Sequence, residues 1–136
     1  MATVARLRLS ELTYHSWDVR SAADPTATLD AEAVRHMLDI ATSNLGWITR
    51  PANLNGQEAT LTVATTNPAT QFALRLADPV SIDRTPAEQP DGSLTLPAEA
   101  WLRLVAGRLD ADHTPDSADL TGPITWRTLR AAFPGY

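Results

Sequence analysis

From Thr3 to Ala23 the chain runs without a Gly or a Pro, until Asp24-Pro25 interrupts it. Nothing in such a run breaks the helical hydrogen-bond ladder, so the spacing predicts a helix that ends at Asp24. At about 100° per residue, Ala5, Leu9, Leu12, Val19 and Ala23 fall on one arc, with Glu11, His15 and Asp18 along its shoulder. The opposite side carries Arg6, Ser10, Thr13, Trp17 and Ser21. The apolar arc is the side expected to dock. A single helix gains little stability from itself, so it must pack on the rest of the chain or on a partner.

The remaining punctuation predicts an α+β order. Asp30 is a good N-cap for a second helix with Val34, Met37, Leu38 and Ala41 at helical spacing and Gly46 as its stop. Pro, Asn and Gly between Trp47 and Gly56 predict a loop, and hence a boundary between a helical segment, 1–46, and an α+β segment, 47–136. Beyond it, residues 59–65 and Phe72, Leu74 and Leu76 alternate as half-buried strands, and the Asn67-Pro68 turn makes them an antiparallel hairpin. Val80 with Ile82, and Leu94 with Leu96, predict two further short strands. Pro97 opens a helix over Ala98 to Arg108 with Trp101, Leu102, Val105 and Leu109 on its apolar face. Residues 109–122 read as an Asp- and Pro-rich loop. Pro123 then opens a last helix carrying Ile124, Trp126, Leu129 and Phe133. The expectation is two helices followed by a small, mainly antiparallel sheet of about four strands packed with two helices.

Composition removes several functions. A chain of 136 residues that is 43% hydrophobic and 20% charged has the material for one packed domain. Its net charge is −5 and its eleven basic residues, all Arg, are scattered, so no phosphate-backbone footprint is present and nucleic acid is not an expected partner. Without Cys the chain has no disulfide, no thiolate nucleophile and no thiolate zinc site, so any thiol chemistry is borrowed. No window approaches a membrane span, and a cytoplasmic location without membrane partners is expected. The four Trp residues are expected as core and interface anchors, since no basic groove accompanies them.

Chemistry concentrates in few places. Glu11 and His15, four residues apart, project side by side from one helix and together offer a carboxylate oxygen and an imidazole nitrogen to a divalent metal such as zinc. Two ligands do not complete a site, and the same spacing also describes an ordinary helical pair. His36, between Arg35 and Asp39, reads as a solvated residue, and His113 as part of a turn. Arg108, after Gly107 at a helix end, suits either the helix dipole or a carboxylate partner.

Three stretches carry a resemblance: Arg8-Leu9-Ser10-Glu11-Leu12-Thr13-Tyr14-His15-Ser16-Trp17-Asp18-Val19, Trp101-Leu102-Arg103-Leu104-Val105-Ala106-Gly107-Arg108-Leu109, and Leu129-Arg130-Ala131-Ala132-Phe133-Pro134-Gly135-Tyr136. In order and spacing they resemble the back half of the mycothiol-dependent maleylpyruvate isomerase family of actinobacteria. That family joins a DinB-like four-helix metal-binding bundle to a smaller C-terminal α+β domain resembling sterol carrier proteins. The resemblance implies that Glu11 and His15 are zinc ligands of the last bundle helix, that Arg108 serves catalysis or binding of the thiol cofactor mycothiol, and that a further His ligand belongs to an earlier helix. The chain begins at what corresponds to that last helix, so the resemblance implies half an active site. A gene fragment, a displaced start codon and a stand-alone protein all fit. The expected function is therefore a C-terminal isomerase module not competent alone. The other expectation is a module that binds a small hydrophobic ligand or forms a homodimer through its first helix.

Overall fold

A computed structural model describes residues 2–43 and 45–135, with the side chains of 2 and 40–43 left aside. Ala41, expected on the apolar face of the second helix, and Tyr136, in the third quoted stretch, therefore lie outside what is described. Among the described residues five helices, α1 (Ala2–Ala23), α2 (Ala31–Ser43), α3 (Leu45–Ile48), α4 (Ala98–Val105) and α5 (Trp126–Ala132), accompany five strands. The strands are β1 (Ala59–Thr66), β2 (Thr70–Leu76), β3 (Ser81–Asp83), β4 (Gly92–Pro97) and β5 (Asp119–Thr121).

The start and stop signals work as local chemistry. Asp24 ends α1 by turning its carboxylate onto the Thr26 backbone N–H and hydroxyl, at 2.9 and 2.6 Å. Asp30 caps α2 by accepting from the N–H groups of Glu32 and Ala33. Thr125 accepts from the Thr128 N–H, so α5 starts after Ile124 rather than at Pro123. Gly46 does not stop a helix; it sits inside the short α3, and a 3-10 turn over Pro51–Leu54 occupies part of the expected loop.

The sheet has the order β3-β2-β1-β4-β5. The β1–β2 hairpin is antiparallel as expected, pairing Ala59 with Leu76, Leu61 with Leu74 and Val63 with Phe72 across the buried face. Two features differ from the expectation. β4 pairs with β1 in parallel, so the sheet is mixed rather than mainly antiparallel. A fifth strand, β5, lies inside the expected 109–122 loop, where Leu120 pairs with Leu94 on β4. Along β1, Ala59, Leu61, Val63 and Thr65 are buried and their alternates are not, which marks one core-facing side.

α4 packs on that side, against β1 and β4, and α2 packs on α4. Nearly every α4 side chain is buried, Arg103 included. The helix ends at Val105, earlier than expected, because Gly107 takes a left-handed conformation with φ of 71°. A Cβ on Gly107 would fall 2.4 Å from Gly135 Cα, so the chain's end can lie against this turn only with glycine there. One hydrophobic cluster runs from Tyr14 and Trp17 through Val34 and Met37 to Trp101, Leu61, Leu94 and Phe133, joining the helical segment to the sheet.

α1 docks with the face opposite to the expected one. Ser10, Thr13, Tyr14 and Trp17 are buried, whereas Leu12 and Val19, from the apolar arc, are 72% and 76% exposed. The buried hydroxyls are satisfied within the helix: Ser10 donates to the Arg6 and Leu7 carbonyls, and Thr13 donates to Leu9. With those bonds made, what they present to the core is mostly methyl and methylene surface. The two aromatic rings supply the area, since Tyr14 and Trp17 each bury far more surface than a leucine.

Candidate functional site

The docking face of α1 decides where its chemical residues point. Trp17 donates its indole N–H to the Ala27 carbonyl at 2.8 Å, under the turn that leads into α2. Tyr14 donates its hydroxyl to the Leu102 carbonyl of α4 at 3.1 Å. Next to Trp17, the Arg103 guanidinium stacks 5.1 Å from the indole centroid and makes a two-pronged ion pair with Glu99 at 2.8 Å. Arg103 also reaches the His113 carbonyl, and Glu99 accepts the Leu29 N–H, so this buried pair ties α1, α4 and both neighbouring turns together.

With that face inward, Glu11 and His15 point outward, with side chains 54% and 64% exposed. They come together as the spacing predicts: His15 Nε2 lies 3.2 Å from Glu11 Oε2. The other ring nitrogen, Nδ1, lies 3.4 Å from Asp18 Oδ2. Asp18 in turn accepts from Arg108 through both carboxylate oxygens, Nε to Oδ1 at 2.8 Å and Nη2 to Oδ2 at 3.0 Å. Arg108 gives Nη1 to the Ala106 carbonyl and lies 5.2 Å above the Tyr14 ring. The hydrogen bond from Arg108 holds the Asp18 carboxyl below its usual range, against the upward push of its partial burial; the charge of Arg108 and the His15 ring add to the lowering.

Arg108 therefore meets a carboxylate, but it is one from this chain rather than from a ligand or partner. The result is a continuous row, Glu11, His15, Asp18, Arg108, that starts in solvent and ends under α1. Asp18 stood beside His15 on the sequence arc without an assigned role; its spacing three residues after His15 was the available signal. Tyr14, the platform for Arg108, had no such signal, because its burial depends on the unexpected docking face.

A neutral imidazole has one N–H, so between two carboxylates it can donate to only one of them. Nε2 is the ring nitrogen within hydrogen-bond distance of Glu11: with Nε2–H donated there, Nδ1 faces Asp18 as a lone pair, and in the other tautomer the Nε2 lone pair faces Glu11, where a cation can sit between them. Two ligands of one tetrahedral zinc, each about 2.05 Å from the ion, would stand about 3.3 Å apart. The Glu11–His15 separation of 3.2 Å matches this span and is equally that of a direct hydrogen bond between the two side chains. Among the described residues no group of three or more His, Cys, Asp or Glu side chains gathers around a common point.

The other candidates lie elsewhere. His36 is exposed on α2. His113 ends a 3-10 turn, bonds Asp110 through Nδ1 at 2.6 Å and sets its ring on edge against Trp17. Burial pushes the Asp110 carboxyl up, but the side-chain and backbone bonds from His113 outweigh it and hold the group below its usual range. Of the four Trp, Trp17 and Trp101 are core anchors and Trp126 is half-buried, whereas Trp47 is 85% exposed. Among the described residues no helix is long and apolar enough to cross a membrane. Compared with models of protein families and with curated proteins, the chain matches none.

Proposed function

We propose that this chain is the C-terminal module of a mycothiol-dependent, metal-binding protein of the maleylpyruvate isomerase kind, not catalytically competent alone. The observation that carries the reading is the outward row on α1, in which His15 is held by Asp18 on one side and meets Glu11 on the other. A supporting carboxylate behind a histidine is the arrangement that orients imidazole nitrogen toward a metal. Glu11 Oε2 and His15 Nε2 would hold zinc or another divalent metal together with a ligand from outside the described residues. A metal so held lowers the pKa of a bound thiol, making it a nucleophile toward an electrophilic substrate.

The chain's own residues set up that chemistry. Arg108 holds Asp18 by two hydrogen bonds, and Asp18 stands 3.4 Å from His15 Nδ1, placed to take its N–H when Nε2 turns to a metal. Under this reading Arg108 is also the anchor for a thiol cofactor's polar group or an oxyanion. The exposed Leu12 and Val19, side by side along one edge of the row, give the companion segment an apolar surface next to the ligands. The same exposed surface favours a second reading, a stand-alone small-ligand-binding or dimerisation module, in which a second copy of α1 covers it.

The test is elemental analysis and an isomerase assay on the purified monomer. Weak zinc binding without mycothiol-dependent isomerase activity is expected. Tight stoichiometric metal, or turnover by the monomer, would contradict the reading. A concentration-dependent dimer that disappears in Leu12→Arg would favour the second reading instead.

A further inference from the structure

A cavity of about 260 Å3 opens between α2, β2 and β3, lined by Leu38, Phe72, Ile82 and Trp101 with Asp39, Thr70, Gln71 and Arg84. None of Glu11, His15 or Arg108 lines it. It has the volume of roughly nine water molecules, enough for a compound with a single ring.

Two donors are left over here. Trp101 is 1% exposed, and among the described residues its indole N–H has no hydrogen-bond partner. No described side-chain nitrogen or oxygen is both sealed from solvent and unpartnered, so this N–H keeps a little access to solvent, and Trp101 lines the cavity. An acceptor that enters the cavity and reaches this N–H replaces water with a hydrogen bond beside apolar walls. The second donor is Arg84, exposed at the rim, whose guanidinium has no carboxylate or other hydrogen-bond partner among the described residues. Asp39, across the same rim, is engaged in an interaction of its own, and the Thr70 hydroxyl is shared with Thr65 at 2.8 Å.

Apolar walls, an inner N–H and a cation at the mouth together describe the recognition of a small organic acid. We propose that this cavity binds a carboxylate of one-ring size, its apolar body against Leu38, Phe72 and Ile82, its charge at Arg84 and its inner end against the Trp101 N–H.

Benzoate is the simplest probe, with benzamide as a neutral match. In a 15N-labelled sample of the whole chain, the Trp101 indole signal is identified by its proximity to the Phe72 and Phe133 rings, which lie 5.0 and 6.2 Å from it. Benzoate should shift this signal saturably and leave the indole of exposed Trp47 unmoved. Arg84→Gln, a change on the surface, should weaken benzoate about tenfold and leave benzamide unaffected. Ile82→Trp, which fills the cavity from β3, should abolish the shift of the Trp101 signal while the other indole signals keep their positions. A Trp101 signal indifferent to benzoate, or equal benzoate affinity in Arg84→Gln, would overturn the proposal.

Discussion

Replacing Trp17 and Leu12 in turn tests which side of α1 holds the helix to the protein. Trp17 is 5% exposed, donates its N–H to Ala27 and stacks against the Arg103 guanidinium and the His113 ring. Trp17→Ala removes the ring's buried surface and leaves the Ala27 carbonyl and the buried guanidinium with less company, a loss of about 3–5 kcal/mol. For a chain of this length that lowers Tm by roughly 10–20 °C. Leu12 lies on the same helix but is exposed, so Leu12→Ala should change stability by no more than about 0.5 kcal/mol. Urea unfolding followed by far-ultraviolet circular dichroism measures both. A Leu12→Ala loss above about 1.5 kcal/mol together with a small Trp17→Ala effect would mean that the apolar arc docks after all.

Two further outcomes follow from the ion pairs. Glu99→Ala strands the buried Arg103 cation and removes the acceptor of the Leu29 N–H, so it should cost about 3–5 kcal/mol in urea unfolding. The double variant Glu99→Ala/Arg103→Met should cost less than Glu99→Ala alone, because the unpaired charge goes with its partner; an equal or larger cost would show that the pair does not act as a unit. Asp18 has a lowered carboxyl pKa in the folded chain, so its contribution is full above the unfolded value and fades as pH falls through the folded one. The stability gap between the native chain and Asp18→Asn should therefore be at most about 1 kcal/mol near neutrality, since Asp18 is partly exposed, and should shrink below pH ~4. A gap that stays constant from pH 7 to 3 would mean that the Arg108 bond to Asp18 is not formed in solution.

What the residues reveal in advance depends on where each element finds its partners. The β1–β2 hairpin and α2 were legible because alternation and a capping Asp are local signals. β5 was not, because a three-residue strand with one apolar residue, Leu120, exists only through pairing with β4. The parallel β1–β4 pairing was hidden for the same reason: it joins segments separated by the whole of β2 and β3. α1 was misjudged on the weight given to Leu12 and Val19 over Tyr14 and Trp17. Two aromatic rings flanked by self-bonded Ser10 and Thr13 outcompeted a sparse aliphatic arc. In the candidate site, the meeting of Glu11 with His15 followed from helix geometry alone. The union of Arg108 with Asp18 did not, since it joins α1 to the turn after α4 through the unexpected face.

The most direct test of an outward, half-complete ligand pair is a zinc titration of the whole chain followed by the ring 15N signals of its three histidines. A weak, saturable shift at His15 Nε2 that Glu11→Gln removes is expected, with His36 and His113 unmoved. Zinc that shifts His36 or His113 first, or a His15 response indifferent to Glu11→Gln, would contradict such a pair.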